Sequence, residues 1–171
     1  MRTVASTVVA DPQWGRFFSE RIGRPVRLLE AADAAYDARP VTLLGLASVQ
    51  ELARRSGSDP VDPTRFRMLI EFSGGEPHVE DTWDGRSIHV GDAVLRVEGP
   101  VQRCAATTRN PATGEVDLQT LAMIRGYRGR QESIWGLGIN FGVYAEVVTP
   151  GTVSVGDVLE VGADLGVDGD D

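Results

Sequence analysis

A chain of 171 residues, 42% hydrophobic and 25% charged, is long enough to bury one core of its own and has the composition of an ordinary globular domain. Its formal net charge of −8 excludes the basic footprint that sequence-independent nucleic-acid binding needs. All 17 basic residues are arginine, which excludes lysine Schiff-base chemistry and a Walker-type phosphate loop and leaves any phosphate clamp to the guanidinium fork.

No apolar run approaches bilayer length, and the N-terminal stretch is broken at Asp11-Pro12, too early for a secretory leader. The single cysteine permits no internal disulfide. These features predict a cytoplasmic protein with no membrane contact.

Asp11 as N-cap and Pro12 at the first helical position open a helix that carries Trp14, Phe17, Phe18 and Ile22 on one face and stops at Gly23. That aromatic face is expected to pack in the core. Residues 25–29 read as a strand, 31–40 as a loop and 41–46 as a strand. Ser48 and Glu51 have the spacing of a capping box, so a helix is predicted from Ser48 to about Arg55, ended by Gly57. Ser48 either caps that helix alone or also helps hold an anion at the helix N-terminus.

Residues 58–64 form a loop. Residues 65–72 alternate as a strand, with Phe66, Met68, Ile70 and Phe72 on one face and Arg65, Arg67, Leu69 and Glu71 on the other. The two arginines are therefore neighbours, either on a solvated face or in an anion site. Glu80 and Asp81 precede Trp83; as adjacent strand residues they point apart, which argues against a shared acid–base role. Strands at 87–90 and 93–98 flank a Gly91-Asp92 turn.

Next comes Gly99 to Gly114, which holds Arg103, the only cysteine Cys104, and the hydroxyls Thr107 and Thr108, and closes on Asn110-Pro111 and Thr113-Gly114. A strand ending at Cys104 and then a loop would give a thiol suited to soft-metal ligation or nucleophilic chemistry; the alternative is a small buried apolar residue without a chemical role. Asp117 is expected to cap a helix with Leu118, Leu121, Ala122 and Ile124 inward. Residues 129–138 read as a mobile glycine-rich segment, 139–148 as a long strand with Gly142 at a bulge or close approach, and 152–161 as a final hairpin. His78 and His89 lack zinc-ligand spacing and are expected at the surface or in strands. The acidic tail is expected to be disordered. Many short strands with about three short helices predict a mainly β (α+β) fold, a closed or partly closed mixed β-barrel.

The ordered set Phe66-Arg67, Glu80-Asp81-Thr82-Trp83, His89-Val90-Gly91-Asp92, Arg103-Cys104, Thr107-Thr108, residues 110–114, Phe141-Gly142-Val143-Tyr144 and residues 150–157 resembles the MOSC domain, the C-terminal domain of molybdenum cofactor sulfurases, found also in the amidoxime-reducing component. The resemblance covers about residues 41–161. It implies one domain over 1–162, with 1–40 a remnant of the N-terminal region of larger relatives and 163–171 a disordered tail. It implies a molybdopterin (molybdenum cofactor) site in which Cys104 ligates molybdenum and is catalytic, while Arg67, Arg103, Ser48, Thr107 and Thr108 hold the pterin and its phosphate.

The implied activity is an oxidoreductase acting on N-hydroxylated substrates with electrons from a donor protein. The alternatives are a sulfur carrier or sulfurtransferase accessory that takes a persulfide on Cys104 from a sulfur-donor protein, and a non-catalytic binding module. At the level of the family alone, the resemblance also carries pyridoxal phosphate binding. Two departures stand out: Met68-Leu69 replaces the Pro-Asn that follows this arginine in catalytic relatives, and the N-terminal region is short.

Overall fold

The computed structural model describes residues 6–9, 12–31, 36, 38–58 and 60–164. The chain divides into two compact units, residues 1–37 and 38–171.

In the first unit, β1 (Ser6–Val8) pairs antiparallel with β2 (Leu29–Ala31), and α1 (Pro12–Ile22) lies between them in sequence. The strand expected at 25–29 forms later because Pro25 has no N–H to donate and the Val26 N–H donates to Ser19 Oγ at 3.0 Å. Gly23, at φ 74°, ends α1 as expected. The aromatic face of α1 is not core: Trp14, Phe17 and Phe18 are exposed and pack on one another, with ring centroids 5.3–6.2 Å apart. The expected cap Asp11 and most of the acidic tail, residues 165–171, lie outside the described residues.

The second unit is built on a six-stranded mixed sheet, curled into a half-barrel. Its strands are β3 (Val41–Gly45), β4 (Ile70–Phe72), β5 (Arg86–Val90), β6 (Ala93–Gln102), β7 (Asn140–Thr149) and β8 (Leu159–Asp164), in the order β4-β3-β7-β6-β5-β8. Only β3 and β4 run parallel, and α2 (Leu46–Ser56) makes that crossover. All six strands, including both edges, contribute to one cluster around Leu43, Ile88, Val97 and Val143, which requires the sheet to curl. The edges β4 and β8 do not pair, and a cleft of about 1070 Å³ separates them.

Alternation along the strands supplies a second core on the other face. Leu44 and Phe141, next to Leu43 and two residues from Val143, pack with Leu52 of α2 and Ile124 of α3 (Thr120–Arg128). Gly142 sits at φ 81°, where a Cβ would lie 2.6 Å from Met68 Cε and 2.7 Å from the Leu43 carbonyl, so the expected close approach is present.

Several local expectations fail for physical reasons. Helix α2 begins at Leu46, ahead of Ser48, and its N-cap is Gly45. The carboxylate at its N-terminus comes from Glu80: the Glu80 Oε1 accepts from Ser48 Oγ at 2.8 Å and from the Gly45 N–H at 3.3 Å. Glu51, the expected capping-box acid, pairs outward with Arg54 and Arg55.

Residues 65–72 are not one strand. Asp62 caps a 3₁₀ turn, Pro63–Phe66, by accepting from the Thr64 N–H at 2.9 Å; Arg67 is left-handed at φ 53°; β4 starts only at Ile70. Asp117 does not cap α3, which starts at Thr120 after Gln119; it pairs with Arg65 instead. The final hairpin reduces to β8 on β5, because the Thr152 carbonyl accepts from the Asp92 N–H and Ser154 and Asp157 close a turn. Among the described residues no helix is long and apolar enough to cross a membrane.

Candidate functional site

Strand β6 delivers the cysteine. After Gln102 the Arg103 N–H donates to the Ile139 carbonyl at 2.7 Å, and Cys104 follows in extended backbone at φ −109°, ψ 175°. A one-turn 3₁₀ helix, Ala105–Thr108, begins directly after it. The Cys104 thiol is free and exposed, which removes the reading of a packed apolar residue.

Arg103 is held against residues 66–68. Its Nη1 donates to Met68 Sδ at 3.3 Å, its Nη2 donates to the Phe66 carbonyl, and the guanidinium carbon lies 5.4 Å from the Phe66 ring centroid. Among the described residues its Nε is buried without a partner, and no carboxylate pairs with it. Burial lowers this guanidinium to about 10, against a weaker opposing influence of Cys104 and Tyr144. A cation enclosed this way, with only a carbonyl and a thioether as partners, is electrostatically incomplete.

The remaining candidates separate. Arg67 is exposed and, among the described residues, its guanidinium has no hydrogen bond or ion pair. Arg65 is not its neighbour on a shared face: its side chain is 5% exposed and pairs with Asp117. Thr108 Oγ donates to the Ala105 carbonyl at 2.7 Å at the surface. Thr107 is buried, its hydroxyl 2.7 Å from Thr120 Oγ and donating to the Cys104 carbonyl at 3.1 Å. Ser48 is fully buried, with its hydroxyl donating to Glu80 and accepting from the His78 N–H at 2.8 Å. It neither caps α2 nor faces a ligand. Of the six residues read from the sequence, Cys104, Arg103, Arg67 and Thr108 keep groups free for a ligand, while Thr107 and Ser48 serve the protein interior.

Two arginines were not singled out from the sequence. Arg125 of α3 and Arg130 line, with Arg103, Gln102, Gly138 and Ile139, a cleft of about 260 Å³ to which no carboxylate among the described residues contributes. The 129–138 segment, expected to be mobile, is tied down. Gln131 and Gly138 exchange backbone bonds at 2.8 and 2.9 Å, Asn140 Nδ2 donates to the Glu132 carbonyl at 2.8 Å, and Ser133 Oγ donates to Gln102 Oε1 at 3.1 Å. The available signal was the spacing Arg125, Arg128, Arg130, a local run of cations in an acidic chain.

Behind the site, His78 lies in left-handed backbone at φ 64°, its ring packed on Tyr127 and Phe141 and its Nε2 3.2 Å from the Tyr127 hydroxyl. It is neither in a strand nor free at the surface. Burial first, and Arg128 second, lower it to about 4. An unfolded histidine near 6.5 binds more protons than the folded one between those values, so its contribution to stability is complete above about pH 6.5 and fades as pH falls toward 4. With the ring half-buried and partly screened, we expect a loss of about 1–2 kcal/mol between pH 7 and pH 4.5, read from urea midpoints. In His78→Gln that part of the pH dependence should disappear; equal pH dependence in both proteins would refute the assignment.

Glu80 and Asp81 lie in a 3₁₀ turn, Val79–Trp83, and not in a strand, yet they still part: Glu80 is fully buried, with its carboxyl raised by burial, and Asp81 pairs with Arg128 at 2.6 Å.

The family model for the MOSC domain matches residues 31–160. The chain belongs to the MOSC domain family. It is 34% identical over 125 residues to human mitochondrial amidoxime-reducing component 1, covering 71% of this chain and 36% of that protein. It is 26% identical over 165 residues to the molybdenum cofactor sulfurase of Oryza sativa subsp. japonica, covering 77% of this chain and 20% of that protein. The MOSC chain thus spans well under half the length of these curated relatives. Among solved structures, the YUAD protein from Bacillus subtilis superposes with a TM-score of 0.53 at 21% identity, covering 91% of this chain and 74% of that one, which supports the shared fold.

Proposed function

We propose that this MOSC domain binds the molybdenum cofactor through Cys104 and acts as an oxidoreductase on N-hydroxylated substrates, with electrons delivered by a separate donor protein. The observation that carries this reading is Arg103: an enclosed guanidinium without a carboxylate partner among the described residues, next in sequence to an exposed cysteine. Such a cation is completed by an anion from outside, and a thiolate is the soft donor that molybdenum takes from a protein. Arg125 and Arg130 add two further guanidiniums in the same cleft, and Arg67 offers another at the surface. Together these residues fit a ligand that pairs a soft metal with a phosphate.

In this reading Cys104 supplies the one protein ligand to the metal. Arg103, from its fixed contacts to Phe66 and Met68, stabilises negative charge at the metal end. Arg125 and Arg130 hold the phosphate as bidentate donors, and Gln102, anchored by Ser133, closes the floor of the cleft. The bound cofactor supplies the two-electron redox chemistry. Met68-Leu69 stand in place of Pro-Asn: Leu69 replaces the amide with an exposed apolar side chain, and Met68 gives Arg103 a thioether contact.

The test is elemental analysis for molybdenum and tungsten on protein made in a cofactor-competent host. A stoichiometric metal content is expected, and metal-free protein from that host would overturn the proposal.

The exposure of Cys104 also favours a second reading, a sulfur carrier. There the thiolate attacks the terminal sulfur of a donor's persulfide, the donor cysteine leaves as thiolate, and Cys104 keeps the sulfur. Intact mass after incubation with a persulfide-loaded cysteine desulfurase decides: a gain of one sulfur confined to Cys104 supports it.

A further inference from the structure

The turn that presents Cys104 is too short to hold itself. It is a single 3₁₀ turn, closed by only two backbone bonds among the described residues, Thr107 N–H to the Cys104 carbonyl at 3.3 Å and Arg109 N–H to the Ala106 carbonyl at 3.2 Å. Its geometry therefore depends on what grips it from behind.

Arg65 provides that grip. Its Nη1 donates to the Thr107 carbonyl at 3.2 Å, and Nη1 and Nη2 together fork onto Asp117 at 3.2 and 3.3 Å. Asp117 in turn takes Asn110 Nδ2 at 2.9 Å, and the N–H groups of Asp117 and Leu118 both donate to the Thr108 carbonyl, at 3.2 and 3.3 Å. One buried guanidinium thus ties the middle of the cysteine turn to the strand of chain that returns beside it. Thr120 adds a second anchor through the Thr107 hydroxyl.

Arg65 reaches this position because the Asp62-Pro63 turn points it inward, while the left-handed Arg67 sends the next arginine outward. A lysine could keep the charge but not the fork, since one ammonium cannot serve a carbonyl and both carboxylate oxygens in that plane.

We infer that Arg65, through Thr107 and Asp117, is the positioning residue that sets the Cys104 turn for its metal. This rests on the proposed cofactor reading, and it adds a role in which the arginine touches no ligand. The pair of buried Arg65 and surface Asp117 fixes the turn before any cofactor arrives.

The experiment uses Arg65→Lys and Asp117→Asn in the full chain. Asp117 is at the surface, so its amide variant is expected to fold even where the Arg65 variant does not. Backbone amide exchange is measured on cofactor-free protein, and molybdenum content on protein from a cofactor-competent host. Both variants should exchange about tenfold faster at the Thr107, Arg109, Asp117 and Leu118 amides, with β3 and β7 unchanged. Molybdenum per chain should fall at least about fivefold, as loss of a support bond to a metal ligand typically does.

Turn amides that exchange as in wild type would overturn the inference, and so would a loosened turn that still retains full metal. Equal acceleration across the sheet would also overturn it, because Arg65 would then serve the fold and not the turn. Wild-type protein without molybdenum would remove the cofactor reading, while the exchange data would still decide whether Arg65 holds the turn.

Discussion

Arg103→Met is expected to give a protein that melts higher than wild type and holds at least about tenfold less molybdenum. The first half of this result follows from the cost of enclosing a cation. Burial lowers the Arg103 guanidinium to about 10, so the folded state binds it as a cation less well than the unfolded chain does. The folded chain carries fewer protons than the unfolded chain from about pH 10 up to the ordinary guanidinium range, so stability rises with pH there, and below that window the full penalty remains.

Methionine keeps an unbranched apolar stem against Phe66 and Met68 and brings no charge. Its substitution also strips one donor from the Phe66 carbonyl, which offsets part of the gain. The net expectation is a stabilisation of about 1–2 kcal/mol, or roughly 2–6 °C in melting temperature for a domain of this size.

The second half follows from what the cation is for. Without it, an anionic ligand beside Cys104 loses its enclosed partner, and the exposed Arg67 does not replace it. A melting temperature several degrees lower, with metal content intact, would show that Arg103 is a structural residue and nothing more. An enclosed charge kept at a cost in stability is a sign of a site, and the opposite movement of the two readouts is its measurable form.

How far the sequence reached depends on the range of the interaction involved. The strands β3, β5, β6 and β7 were legible because alternation and the Gly91-Asp92 turn are local signals. Gly142 was legible because a glycine inside a strand pattern marks a close approach. The Ser48–Glu51 pair failed because a buried acid 32 residues on, Glu80, competes for the same helix end, and nothing local announces it. Residues 65–72 alternate but do not form one strand, because Asp62-Pro63 just before them starts a helical turn that overrides the alternation. Asp117 failed because its partner Arg65 is 52 residues away.

The site shows the same division. Arg103 and Cys104 are adjacent in sequence, and the family resemblance marked both. Arg125 and Arg130 come from a helix and the segment after it, whose approach to β6 is set by tertiary packing; the run Arg125, Arg128, Arg130 marks a local excess of cations but does not say which of them meet Arg103. Thr107 and Thr108 look equivalent as a sequence pair, but a 3₁₀ turn sends one hydroxyl inward and leaves the other at the surface.

Cys104→Ser should separate the chemistry of the sulfur from the shape of the turn. The cysteine is free and exposed, so stability should stay within the roughly 0.5 kcal/mol typical of surface changes. The turn bonds run through the Cys104 carbonyl, which accepts from the Thr107 N–H and hydroxyl, and serine leaves that carbonyl in place. What changes is the donor atom. A neutral hydroxyl is a hard and weakly acidic ligand where molybdenum takes soft thiolate, so metal content should fall at least about tenfold even though Arg103, Arg125 and Arg130 still attract the anionic part of the cofactor. Elemental analysis beside a thermal melt reads both quantities on one sample. Retention of the metal by the serine variant would mean that the cofactor is held by its anionic groups alone. Loss of metal from Arg103→Met but not from Cys104→Ser would then place the recognition on the guanidinium cleft and leave the thiol for sulfur transfer.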